Sequence, residues 1–257
     1  MKRYLTLIYA ALAYFGFLGL FLYWLGFLIN FGVPKAIDGE ARGSFIMAAV
    51  INISLVLIFS IQHSLMARPA FKKVWTQFIP KHLERSTYVL MSNLALAFLF
   101  FAWQPMGGVI WNVENFYVKT VLYVLFAAGA LTVVATSFLI NHFDLFGLRQ
   151  AWFYFKGQEY KHLKFSTPGP YKVVRHPLYV GWLMTLWITP LMTIAHLVFA
   201  LAFTLYILVA IGFEERDLEN TFGSLYARYR KQTPMLLPSI KLPFLRHIAI
   251  KELGYRE

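Results

Sequence analysis

A chain of 257 residues that is 59% hydrophobic, 18% aromatic and only 14% charged cannot cover a water-soluble globule; soluble domains sit nearer roughly 45–50% apolar with about a quarter charged. With a mean hydropathy of +0.57 it reads as an integral membrane protein. Cysteine is absent, which excludes disulfides, thiol catalysis and cysteine metal sites. The net charge of +12 calls for no nucleic acid, because membrane topology and attraction to anionic lipid account for it.

Crossing a hydrocarbon core of about 30 Å takes roughly 20 apolar residues. The first candidate span, residues 5–31, follows Met1-Lys2-Arg3. It is far longer than a signal-peptide core and no convincing small-residue cleavage site follows, so it is read as a retained helix. Residues 45–66, 88–103 and 118–140 supply three more spans. The last apolar run, 178–213, would measure about 54 Å as a straight helix, too long for one crossing. Thr189-Pro190 breaks it, since proline lacks the backbone donor and clashes with the preceding turn. The run is therefore a hairpin: a short helix to about Ile188 and a second from about Thr193 to Phe213.

Charge distribution supports this count. Of the 24 Lys and Arg, only Lys35, Arg42 and Lys119 fall in the first, third and hairpin connections. The rest lie at the N-terminus, in 67–87, in 141–177 and in the tail. The positive-inside rule then makes both termini and these two loops cytoplasmic, which requires an even number of crossings. The predicted fold is an all-α integral membrane protein of one domain, with four transmembrane helices in 1–140. A site and the helical hairpin occupy 141–238, and a cytoplasmic tail 239–257. Beyond the last span Glu215, Leu218, Phe222 and Tyr226 recur at helical spacing, predicting an amphipathic helix along the membrane face.

The polar chemistry gathers on the cytoplasmic side. His63 lies near the end of the second span, where it either reaches the site or makes an interhelical hydrogen bond. His142 and Asp144 follow the fourth span directly, and ionisable groups at such boundaries are functional candidates. Asp144 either orients a histidine base or pairs with Arg149 as a loop clasp. In Arg175-His176-Pro177-Leu178-Tyr179 the proline holds His176 extended and suits the first turn of the next helix. His176 and Tyr179 then stand at a helix N-terminus, where free donors favour anionic groups; alternatively Arg175 and His176 snorkel at the interface. Glu214-Glu215, flush against a span end, is costly without partners. The pair either bridges to Arg175, Arg216 or a basic loop, or holds a ligand cation. The histidines lack recognisable metal-ligand spacing, so no metal is expected, and His196 receives no role.

Gly169-Pro170-Tyr171, Arg175-His176-Pro177-x-Tyr179-x-Gly181, Glu214-Glu215-x-x-Leu218, Phe222-Gly223-x-x-Tyr226-x-x-Tyr229 and Thr233-Pro234 resemble the membrane methyltransferases. That superfamily includes the isoprenylcysteine carboxyl methyltransferases and the phospholipid methyltransferases. The resemblance implies S-adenosyl-L-methionine as cofactor, with Tyr171, Arg175, His176, Tyr179 and Gly181 on one side and Glu214 or Glu215 at its ammonium end. Gln62-His63-Ser64-Leu65-Met66-Ala67-Arg68 is similar to the NnrU-like branch. The segment from Asn141 to Gln150 resembles the bacterial methanethiol S-methyltransferases, which make dimethyl sulfide. The implied reaction is methylation of a small thiol at a bacterial inner membrane, with the bilayer as the only other partner and no obligate protein partner.

A thiol is weakly nucleophilic until deprotonated, so a base is expected: His142 with Asp144 as its orienter, or Asp144 itself. Arg149 stabilises the thiolate or positions Asp144. Phe143, Phe146 and Trp152, with His63, form the expected substrate pocket. Competing readings are an isoprenylcysteine or lipid-amine acceptor, a different small thiol, and a non-catalytic NnrU-like membrane protein. A transporter is disfavoured because transporters place ionisable residues near the midplane, and these spans hold almost none.

Overall fold

The computed structural model describes residues 1–41 and 43–238. Arg42, counted above in the first connection, and the predicted tail 239–257 lie outside the described residues. In chain order the elements are α1 (Lys2–Ile29), α2 (Phe45–Ala67), α3 (Pro69–Trp75), α4 (Lys81–Ala102), β1 (Val109–Asn112), α5 (Phe116–Leu139), α6 (His142–Leu145) and α7 (Leu148–Lys156). A 3₁₀ turn (Gly169–Lys172) precedes α8 (Pro177–Trp187), β2 (Leu191–Thr193), α9 (Ile194–Phe222) and α10 (Ser224–Gln232). Five helices, α1, α2, α4, α5 and α9, are long and apolar enough to cross a membrane. Their outer faces carry exposed large apolar side chains such as Leu12, Ile53, Val124 and Leu205, as a lipid-facing surface requires. The protein is a mostly helical integral membrane protein.

Local chemistry sets the helix ends. Asn115 caps α5 by accepting from the N–H groups of Tyr117 (3.1 Å) and Val118 (3.2 Å). Arg68 is extended because Pro69 follows it, which ends α2. α4 begins at Lys81 rather than 88, its first turns being polar rather than apolar. α9 runs through Glu214-Glu215 to Phe222, and Gly223, with φ 56°, turns the chain into α10. The predicted helical continuation is therefore present in two pieces.

The core is a stack of aromatic rings contributed by α1, α4 and α9. Trp24 and Trp103 each lie 5.1 Å from the Phe199 ring, within the range where aromatic pairs attract. Trp24 Nε1 also donates to Thr185 Oγ1 of α8 (3.3 Å). α8 packs closely on α5 through two glycines. A Cβ on Gly181 would stand 2.8 Å from the Gly129 carbonyl oxygen and 2.8 Å from Val133 Cγ2. Small residues permit such close helix crossings in lipid.

The hairpin forms as predicted, and its break is built differently from a plain loop. After Trp187 the chain runs into β2, which pairs antiparallel with β1: Val109 opposes Thr193 and Asn112 opposes Leu191. Val113 N–H donates to the Pro190 carbonyl (2.8 Å), and Trp111 Nε1 to the Thr189 carbonyl (3.1 Å). The ribbon thus satisfies backbone groups that lipid cannot. Its strands are too short to leave a periodic pattern in sequence. Asp38 completes this end of the bundle, accepting from Asn30 Nδ2 (2.7 Å) and from the Thr193 hydroxyl. α8 with its extended exit runs antiparallel to α9, the Trp187 indole N–H donating to Thr204 Oγ1 (2.9 Å). The starts of α1, α4 and α8 and the ends of α2, α5 and α9 therefore meet at the opposite end, where the predicted site residues lie.

Candidate active site

Glu215 is the hub of a clamp between α8 and α9. Its Oε1 accepts from Arg175 Nε (2.6 Å) and His176 Nε2 (2.9 Å), and Oε2 faces Arg230 Nε of α10 at 3.2 Å. Arg175 Nη1 donates further to the carbonyls of Thr233 (2.5 Å) and Arg230 (3.1 Å). The N–H groups of Arg175 and His176 donate to the carbonyls of Pro234 (2.8 Å) and Met235 (3.1 Å). The RHP segment is thereby stitched to the chain beyond α10. The Glu215 side chain is only 7% exposed, Arg175 11% and His176 5%.

Glu214, one position earlier and so about 100° away around the helix, has a different environment. It is half-buried, and its Oε2 accepts from the Tyr179 hydroxyl (2.9 Å). Its other oxygen takes no hydrogen bond among the described residues. The hydroxyls of Tyr88, Tyr171, Tyr179 and Tyr206, from four separate segments, lie within electrostatic reach of this carboxylate. Burial first, and then Glu214, push the Tyr171 phenol above its ordinary pKa, so it stays protonated and able to donate. Nearby Tyr226 is fully buried, and its hydroxyl has no partner among the described residues. Gly181 stands apart from this basin, at the α5–α8 crossing.

Two Tyr–His–Ser relays lie at this end of the bundle. His63 joins Ser92 Oγ through Nδ1 (2.9 Å) and Tyr88 Oη through Nε2 (2.7 Å). His142 joins Ser137 Oγ through Nδ1 (2.8 Å) and Tyr14 Oη through Nε2 (2.9 Å). The network assigns both tautomers. Ser92 spends its one proton on the Tyr88 carbonyl (2.9 Å) and Ser137 on the Val134 carbonyl (2.7 Å). Each serine oxygen therefore accepts from Nδ1–H, which leaves Nε2 with the lone pair that receives the tyrosine O–H. His142 also stacks flat on Phe138, centroids 4.1 Å apart.

Asp144 turns to other partners: Arg149 Nη1 (2.9 Å) and the Tyr160 hydroxyl (2.7 Å). Burial, then the bond to Asp144, push the Tyr160 phenol up to about 12. Arg149 lies over the rings of Phe153 and Tyr160 at 5.0 and 5.2 Å. The loop clasp weighed from sequence is thus formed, and the structure does not bring Asp144 to His142. The expected pocket residues separate as well. Phe143, Arg149 and Trp152 line a cavity of about 470 Å³ with Leu7, Asn141, Leu148 and Phe153, far more room than a one-carbon thiol fills. Phe146 is buried instead, stacked on Phe17 at 4.0 Å and packed in the cluster of Tyr88 and Met66. Sequence reasoning missed Tyr14, Tyr88, Ser92, Ser137, Tyr160 and Arg230; most lie inside apolar runs, where a hydroxyl gives no local sign of its partner. Among the described residues no group of three His, Asp or Glu side chains is placed to hold a metal.

Burial lowers the His142 pKa below its ordinary value of about 6.5, and this has a measurable sign. The unfolded chain binds the proton first as pH falls, so His142 makes stability fall as pH drops below about 6.5. Between pH 8 and 5.5 in detergent, the wild-type unfolding midpoint should fall further than that of His142→Gln. Parallel curves would count against a buried neutral ring.

A family model described as phospholipid methyltransferase matches residues 119–224. The chain is 51% identical over 240 residues to the methanethiol S-methyltransferase of Crocosphaera subtropica, covering 93% of this chain and 94% of that one. It is 45% identical to the methanethiol S-methyltransferase of Mycobacterium tuberculosis, covering 93% and 98%. With methanethiol S-methyltransferase 2 of Bradyrhizobium diazoefficiens the identity is 47%, covering 93% and 92%. The chain belongs to the methanethiol S-methyltransferase family. It is a membrane methyltransferase, and the Glu214 basin lies where α4, α8 and α9 of that enzyme converge. The matched segment 119–224 contains both acidic residues, Arg175, His176 and Tyr179, whereas Tyr14, His63 and Tyr88 come from helices before it. No solved structure gives a significant match.

Proposed function

We propose that this protein methylates methanethiol to dimethyl sulfide, with S-adenosyl-L-methionine as donor, at the cytoplasmic face of a bacterial inner membrane. The observation that carries the reading is the split of the acidic pair. Glu215 is consumed by Arg175, His176 and Arg230, and Glu214 keeps one oxygen without a partner among the described residues, in a basin of tyrosines. A free carboxylate among aromatic rings suits a cationic donor, by charge and by cation–π attraction. The donor set therefore fits: Glu214 and Tyr179 would hold the ammonium end, with Tyr171 and the unpartnered Tyr226 hydroxyl as further donors. When bound, S-adenosyl-L-methionine supplies a methyl group already activated on a sulfonium centre.

The protein's own task is to fix geometry and exclude water, and such positioning is worth many orders of magnitude in rate. Arg175, His176 and Glu215 lock α8 against α9, which sets Tyr179 beside Glu214. The Asp144–Arg149–Tyr160 clasp closes the chain between α6 and the 3₁₀ turn over the end of α5. The cavity beside Phe143 and Trp152 is lined mostly by apolar side chains, which suits a solute that partitions into lipid. The basic loops at this end of the bundle support its cytoplasmic placement, with both termini on that side and the whole chain as one domain.

The test is methyl transfer by the purified protein in detergent from methyl-labelled S-adenosyl-L-methionine. Labelled dimethyl sulfide should appear in the headspace when methanethiol is supplied. Transfer to phosphatidylethanolamine or a prenylcysteine, with none to methanethiol, would overturn the reading.

A further inference from the structure

We infer that Tyr88, backed by His63 and Ser92, takes the proton from the acceptor thiol. This rests on the thiol-methylation reading above. Both relays present a tyrosine hydroxyl bonded to a histidine lone pair, but they differ in what faces that hydroxyl. Tyr88 stands within electrostatic reach of Glu214 and beside Tyr206, with the Arg85 guanidinium 4.8 Å from its ring centroid and Arg68 also in range. Tyr14 instead stands among the rings of Phe15, Phe143 and Phe146, and His142 behind it lies flat against Phe138. Only the Tyr88 relay borders the basin where the donor's cation would sit. Arg85 is fixed there by its bond from Nε to the Leu145 carbonyl (2.6 Å). It is placed to stabilise negative charge passing through the Tyr88 oxygen.

The transfer balances. The thiol S–H bond breaks and its proton moves to Tyr88 Oη, while the proton of Tyr88 moves along the existing 2.7 Å bond to His63 Nε2. The electron pair left on sulfur forms the new S–CH₃ bond as the donor's sulfonium C–S bond breaks, its pair staying on the donor sulfur. The positive charge formerly on the donor passes through His63, whose Nδ1–H remains bonded to Ser92; Arg85, in range of that imidazole as well, repels the charge, so the proton does not stay. His63 returns the proton to solvent when products leave. Tyr88 touches the acceptor and is the catalytic residue; His63 acts through it as a positioning residue and proton carrier.

The test compares two thiols, methanethiol and the more acidic 2,2,2-trifluoroethanethiol, which ionises without help. Tyr88→Phe and His63→Gln should lower kcat/KM for methanethiol by about 10²–10⁴-fold, the usual worth of general acid–base catalysis. The loss for trifluoroethanethiol should be under about tenfold. The Kd for S-adenosylhomocysteine should stay within about threefold of wild type. Equal losses on both thiols, or no loss on either, would overturn the proposal. So would loss of S-adenosylhomocysteine binding in both variants, since that would assign the relay to folding or donor binding. Failure of the unmodified protein to methylate either thiol would instead overturn the parent reading.

Discussion

Glu215→Ala is expected to cost the folded protein about 3–5 kcal/mol, the usual penalty for removing one partner of a buried ion pair. The reason lies in what remains. Arg175, almost fully buried, would keep only the carbonyls of Thr233 and Arg230, and His176 would lose its acceptor altogether. Arg230 is half-exposed, so its share is small, as for surface pairs in general. Denaturant titration in detergent measures the effect. A change below about 1 kcal/mol would mean that the clamp is not what holds α8 to α9. Glu215→Gln should fall between the two, because an amide still accepts one hydrogen bond without carrying the charge.

Glu214→Gln should act on binding instead of stability. A hydrogen bond to a charged group is worth about 1.5–3 kcal/mol, and about 1.4 kcal/mol is a factor of ten. The variant should therefore bind S-adenosylhomocysteine roughly 10- to 100-fold more weakly, with the unfolding midpoint nearly unchanged. 5′-Methylthioadenosine, which lacks the amino-acid end, separates the role from a general disturbance. Wild type and Glu214→Gln should bind it equally well. A matching loss for both ligands would place the carboxylate elsewhere than at the ammonium.

Much of this arrangement was legible before any coordinates, because hydropathy and charge bias are additive properties of short windows. The long apolar spans and the Pro190 break follow from them. So does the grouping of Arg175, His176, Tyr179 and the acidic pair, which the hairpin brings together. What escaped is whatever depends on a partner far along the chain. Glu214 and Glu215 are equivalent in sequence and differ in their partners, Tyr179 for one and Arg175, His176 and Arg230 for the other. His142 and Asp144 stand two residues apart, which suggests a pair, yet Tyr14 and Ser137 claim one and Arg149 and Tyr160 the other. Gly181 sits in a motif and serves a helix crossing.

The ribbon at the far end has a consequence for biogenesis. β1 is synthesised with the third connection, and it keeps unpaired edge groups until β2 emerges some eighty residues later. Asp38, earlier still, waits for Thr193 in the same way. In the folded protein the last hairpin is thus tied to the third connection through β2 and to the first through Thr193. Arg175, His176, Glu214 and Glu215 all lie on that hairpin or beside it. A nascent chain that has made only its first four spans therefore still lacks every member of the Glu215 clamp.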